Sequence, residues 1–254
     1  MRTSHNPIMN RMLPTTVQAN QAEVDAQFDK IVASQKMTVG GTAIKILGLF
    51  GLLLVGALVA WNFTQVNPEM AVQMLLPAIG VTLVLALVIS FSRKVRPAAV
   101  ISYAVIEGFF IGVISWFFEY MYPGIVMNAV FATLVTAGVM FTAYSLGWIK
   151  VNAGFTNVML FAILGYGLFG IGNLIYSMTT NTGGIYSTQY GWVAALVGVG
   201  LAAFCLNLDF KAISQGAEQG LPREYEWRAA FGLLVTMVWL YVEILRLLAI
   251  LRRE

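Results

Sequence analysis

Histidine is almost missing from this sequence: His5, in the N-terminal tail, is the only one. Histidine-based zinc sites and Ser-His catalysis would have to use that tail residue. Cysteine also occurs once, at Cys205 within an apolar run. This excludes an intrachain disulfide and leaves the redox compartment open. Charge is scarce, at 11% of residues, against roughly 25% in an ordinary soluble domain. The net charge of +3 is small and dispersed, and does not point to nucleic acid. The first 36 residues are polar and hold Asp and Glu, with no apolar h-region of a cleavable signal peptide. Membrane entry is therefore expected to use an internal helix.

What the chain has instead is apolar length. Hydrophobic residues make up 59% of its 254 positions. Seven apolar segments stand near 42–63, 74–91, 100–118, 125–146, 156–178, 192–214 and 229–251. Each is close to the roughly 20 residues that a helix needs to cross the hydrocarbon core. Helices are forced, because backbone polar groups find no water in lipid. The expectation is an all-α membrane protein with about seven transmembrane helices in one compact bundle over 39–254. Residues 1–38 read as a polar, solvated cytoplasmic tail, in which Val24, Phe28, Ile31 and Val32 fall at the spacing of one amphipathic helix.

Orientation follows from Lys and Arg. They occupy the tail and the second, fourth and sixth connections (Arg93, Lys94, Arg96; Lys150; Arg223, Arg228), and are absent from the first, third and fifth. The positive-inside rule then makes the N-terminus cytoplasmic in a multi-pass cell-membrane protein. Seven crossings leave Arg252 and Arg253 outside, against the rule, and a re-entrant last helix would resolve that. Trp61, Trp116, Trp148, Trp192 and Trp227 cluster near the expected interfaces, where amphipathic rings settle.

Small residues suggest helix contacts: Gly108 with Gly112 in the third helix, and Ala194 with Gly198 in the sixth. Gly165, Gly167 and Gly170 spell GxGxxG, but in the middle of an apolar helix. Nucleotide binding needs that motif between a strand and a helix start, so close helix packing is the expectation here.

Ionisable groups within the spans are costly and are functional leads by default. Glu243 and Arg246 lie three apart on the seventh helix and can neutralise each other. Glu107 on the third helix and Asp209 on the sixth have no such local partner. At 1.5 Å per residue they lie about 10 Å and about 7 Å from the same membrane side. If they face each other they can share one proton, and carboxylates at one depth would also suit a hard cation such as calcium at Asp209 and Glu107. Otherwise each is an isolated acid, hydrogen-bonded to backbone or hydroxyl groups.

Several runs resemble a known family. Leu206-Asn207-Leu208-Asp209-Phe210, a short polar connection, then Ala229 to Thr236 and Tyr241 to Leu248 are similar to the end of Bax-inhibitor-type proteins, the transmembrane BAX inhibitor motif superfamily. Asn6-Pro7-Ile8 and Tyr103 to Gly112, with Glu107, resemble its bacterial branch. The resemblance covers nearly the whole chain. It implies a seven-helix bundle with the last helix central. It also implies, for some members, a pH-sensitive calcium leak gated by two aspartates on the last two helices. Asp209 matches the first. The second falls at Thr236, which is not ionisable, and Glu107 at similar depth is a candidate to replace it.

The leading expectation is a passive, pH-sensitive calcium (cation) leak gated by buried carboxylates, with calcium as cargo and no cofactor. A non-conducting regulatory protein that binds a membrane protease or a cell-death partner is the alternative. Enzyme chemistry is not expected: no Schiff-base lysine lies deep in a helix, since Lys211 is near an end, and a rhomboid-like protease would lack its histidine.

Overall fold

The computed structural model describes residue 24 and residues 36–92, 96–180 and 182–253. Val24 is helical and exposed. The other members of the expected tail helix, Phe28, Ile31 and Val32, lie outside the described residues.

Seven helices account for the seven apolar segments: α1 Val39–Val66, α2 Pro68–Phe91, α3 Pro97–Met121, α4 Ile125–Ser145, α5 Ala153–Thr180, α6 Gly191–Glu218 and α7 Tyr225–Leu251. All seven are long and apolar enough to cross a membrane. Their 21 to 28 residues correspond to roughly 30–40 Å at 1.5 Å per residue. Most run several residues beyond the apolar segments, through polar residues at their ends. Thr38 caps α1, its Oγ1 accepting from Gly41 N at 2.9 Å. Pro68 and Pro97 open α2 and α3 at positions where a missing N–H costs nothing. Before α4 the chain turns through Gly124 at φ +82°. There the Glu119 carboxylate accepts from Gly124 N (2.6 Å) and Val126 N (3.0 Å), satisfying two donors at the start of α4.

The last helix is central. α7 packs against α1, α3, α4 and α6, and 56% of its spanning window is buried against 6% for α5. It ties to α3 through Ser115 Oγ and Tyr241 Oη at 2.7 Å, and through the edge-to-face rings of Tyr103 and Phe231 at 4.9 Å. α7 runs unbroken for 27 residues, so it is not re-entrant. Arg252 and Arg253, which break the charge rule, are held by the α3–α4 turn. Arg252 Nη1 donates to Pro123 O at 2.8 Å, and Arg253 Nε to Tyr122 Oη at 3.0 Å.

α1 and α3 pack backbone to backbone. A Cβ on Gly108 would strike the Leu53 carbonyl of α1, and one on Gly112 would strike Ala57 and the Ala60 side chain. The GxxxG reading of α3 therefore holds. The packing reading of Gly165, Gly167 and Gly170 does not: nothing stands within 4 Å of a Cβ at any of the three. Their helix lies at the edge of the bundle, with Phe161, Leu168 and Ile171 exposed. Such faces on α1, α2, α4 and α5 are wide and apolar, as a lipid-facing surface must be.

Candidate functional site

The bundle has a tail-side end, which gathers residues 36–38 and the α2–α3, α4–α5 and α6–α7 connections, and a far end. Cross-links confirm the grouping. Met37 N donates to Leu221 O at 2.6 Å, Lys211 Nζ to Val151 O at 2.7 Å, and Arg228 Nη2 to Ser92 O.

Asp209 sits on α6 against α7. Its carboxyl faces the Thr236 hydroxyl, which also lies 3.2 Å from Gly232 O on its own helix. Gly232 leaves the room: a Cβ there would stand 3.3 Å from Asp209 Oδ1. The second oxygen, Oδ2, is buried and makes no hydrogen bond among the described residues. Asp209 borders a cavity of about 220 Å³ lined by Met37, Leu221, Tyr225 and Arg228. Arg228 Nε is likewise buried without a partner among the described residues. Acid and base thus share one small cavity without forming an ion pair.

Glu107 is buried on α3, but it does not meet Asp209. Its carboxyl faces the hydroxyls of Thr82 on α2 and Tyr103 one turn earlier on α3. Among the described residues the two carboxyls face different partners, Thr82 and Tyr103 for Glu107 and Thr236 for Asp209, and the structure does not bring them together as the expected shared-proton pair. The reason is helix order: α3 packs mainly on α1 and α2, and α6 mainly on α7, so α3 and α6 are not packed together. Asp209 lies on the α7 side of α6, whereas Glu107 points to the α2 side of α3. Their depths are alike, about 15 Å from the tail-side helix ends at 1.5 Å per residue. Depth alone did not fix the face. Thr236, by contrast, does meet Asp209.

The tail-side end is fastened by a latch that sequence reading missed. Glu226, 1% exposed, accepts from Thr38 N (2.9 Å) and Thr38 Oγ1 (3.2 Å) and pairs with Lys45. Lys45 also stands 5.4 Å over the Trp227 ring. These bonds join the start of α1 to the start of α7. The strap at 36–38 then lays Met37 over Gly216 of α6 and onto the edge of the Asp209 cavity. Glu226 was passed over as part of a polar connection, and Arg228 was counted only for its charge. The available signal was their place in the first turn of an apolar helix.

Toward the far end, Glu243 and Arg246 pair as the i,i+3 spacing requires, with Arg246 Nη1 3.0 Å from both carboxylate oxygens. Trp239 Nε1 donates to Glu243 Oε1 at 3.3 Å. The Tyr166 hydroxyl faces Glu243 and lies 3.0 Å from Tyr186 Oη. Gly198 gives α6 the room to meet Tyr166 of α5 and the Glu243 carboxyl of α7, so the helix-contact reading holds at Gly198 through side chains. The group borders a second cavity, of about 490 Å³, between α5 and α7.

Fold and site define a class: a multi-pass, seven-helix membrane protein whose ionisable groups are drawn inward along its last two helices. The model of the Bax inhibitor 1 like family matches residues 6–253. The chain belongs to that family. Among curated proteins, none matches it.

Proposed function

We propose that the protein is a passive, proton-regulated cation pathway, with calcium as cargo, controlled from its tail-side end by Asp209. The observation that carries this reading is the state of the Asp209 carboxyl. One oxygen is buried and unpartnered, and it adjoins a cavity rather than packed side chains. A neutral acid is tolerated there. An ionised one must draw in water, a cation or Arg228, because an uncompensated buried charge costs several kcal/mol. Ionisation therefore destabilises the closed arrangement of α6 and α7, which is what a proton-sensitive gate requires.

Thr236 faces Asp209 with a hydroxyl in place of a second aspartate, so one acid rather than two titrates at this seam. Met37, Leu221 and Tyr225 form the cap that must part. The latch at Glu226 and the strap bring that cap under the control of the segment entering α1. On this reading the tail-side end faces the cytoplasm of the cell membrane, in keeping with the Lys and Arg of its connections. The protein performs no chemistry on its cargo.

Purified protein in liposomes loaded with a calcium dye tests the proposal. Calcium flux should exceed that of empty liposomes and rise with pH. Flux no greater than in protein-free liposomes at every pH would discard the pathway, and would favour a regulatory protein acting on a membrane partner.

A further inference from the structure

The far-end cavity has a different chemistry from the Asp209 site. Three aromatic residues, Tyr166, Tyr186 and Trp239, line it beside aliphatic and small residues of α5. The Tyr166 ring lies 5.9 Å from that of Trp239, and its hydroxyl lies 3.0 Å from Tyr186 Oη. The cavity's acidic member is Glu243, 3% exposed and reached from three sides by Arg246, Trp239 and Tyr166. The Arg246 guanidinium lies 4.3 Å over the Tyr186 ring while its Nη1 engages the carboxylate. Aromatic faces around one carboxylate are the surroundings that attract a weakly hydrated, singly charged organic cation. Here the site already holds such a cation, tethered to α7. The Arg246 side chain is 32% exposed, so it has a way out. About 490 Å³ leaves room beside it.

We infer that this cavity is an exchangeable organic-cation site, open to guanidinium or alkylammonium compounds, in which Arg246 is the resident competitor. Glu243 is the counter-charge and Tyr186 the stacking face. The Asn173 side chain fixes that face, since its Oδ1 accepts from Ile185 N at 2.7 Å and so holds the Gly184–Ser187 turn in place. A hard dication suits the cavity poorly. Calcium takes six to eight oxygens, and no group of three acids, histidines or cysteines stands together among the described residues.

Methylguanidinium is the probe, with the full chain in lipid nanodiscs and saturation-transfer NMR on the probe's methyl group. The wild type should show transfer to the probe, and Glu243→Gln should lose it. Arg246→Ala should bind about tenfold more tightly or better, because an intramolecular competitor at millimolar effective concentration has gone. Tyr186→Leu should weaken binding severalfold. Excess calcium should not displace the probe. Absence of transfer in the wild type, transfer that survives Glu243→Gln, or displacement by calcium would each overturn the assignment. Because the wild type alone can decide, poor folding of a variant does not protect the idea. Neither Asp209 nor calcium flux enters the measurement, so its failure is separate from failure of the proposed pathway.

Discussion

The carboxyl of Asp209 on α6 meets the hydroxyl of Thr236 on α7 across the seam between the last two helices. One acid and one hydroxyl stand where the family resemblance leads one to expect two acids. The consequences extend to Glu107, to the latch and to the pH response.

Glu107 and Asp209 have separate partners, so their substitutions should act independently. Effects of Glu107→Gln and Asp209→Asn on pH-dependent calcium flux should add to within about 0.5 kcal/mol, as they do for residues that share no partner. A double-mutant cycle on flux rates checks this. Strong non-additivity would restore the shared proton that the geometry disfavours.

The latch should be a stability element. Removing its charge leaves Lys45 without a counter-ion and weakens the bonds from Thr38, and hydrogen bonds to charged groups contribute about 1.5–3 kcal/mol. Glu226→Gln should cost about 2 kcal/mol and lower Tm measurably in nanodiscs. Lys45→Met should cost less, and the double variant less than the sum. An unchanged Tm for Glu226→Gln would mean that the start of α1 is held by Met37 and Leu221 alone.

Glycine roles separate cleanly. Gly108→Ala would drive a methyl into the α1 backbone, and overpacking of this kind costs about 1–3 kcal/mol. Gly165→Ala meets nothing within 4 Å. It should be neutral, or stabilising by up to about 1 kcal/mol from helix propensity. Thermal unfolding of the two variants side by side decides whether α1 and α3 touch as closely as described.

These cases show how far sequence reading reaches. The seven helices were legible because apolar runs of membrane-spanning length have few alternatives in lipid. The Glu243–Arg246 pair was legible because i,i+3 spacing fixes a local contact. The partner of Asp209 came from the resemblance, whose matched position, Thr236, is the residue it meets. Contacts that depend on which helices pack together were not legible. Glu107 reaches the right depth but meets Thr82 of α2, and nothing packs on Gly165, Gly167 or Gly170, the last two of which border the far-end cavity. Glu226 and Arg228 were hidden for another reason: in a short polar connection they look solvated until α7 is seen to start at Tyr225.

Orientation has its own test. A cysteine at Thr182, in the α5–α6 connection, should react with an impermeant maleimide added to intact cells, and one at Gln219, in the α6–α7 connection, should not. The native Cys205 is buried and gives little background. A cysteine at Glu254 should label like Thr182. The opposite pattern would invert the molecule and place the Asp209 cavity outside the cell.

The most direct measurement is calcium flux as a function of pH for the wild type and Asp209→Asn in the same liposomes, with helical content and Tm confirmed for both. The wild-type flux should rise with pH, by up to about tenfold per unit, the limit for one titrating group. In Asp209→Asn, where nothing ionises at that position, the profile should be flat across the same range. A well-folded Asp209→Asn protein that keeps the full wild-type pH response would contradict the assignment of Asp209 as the gate.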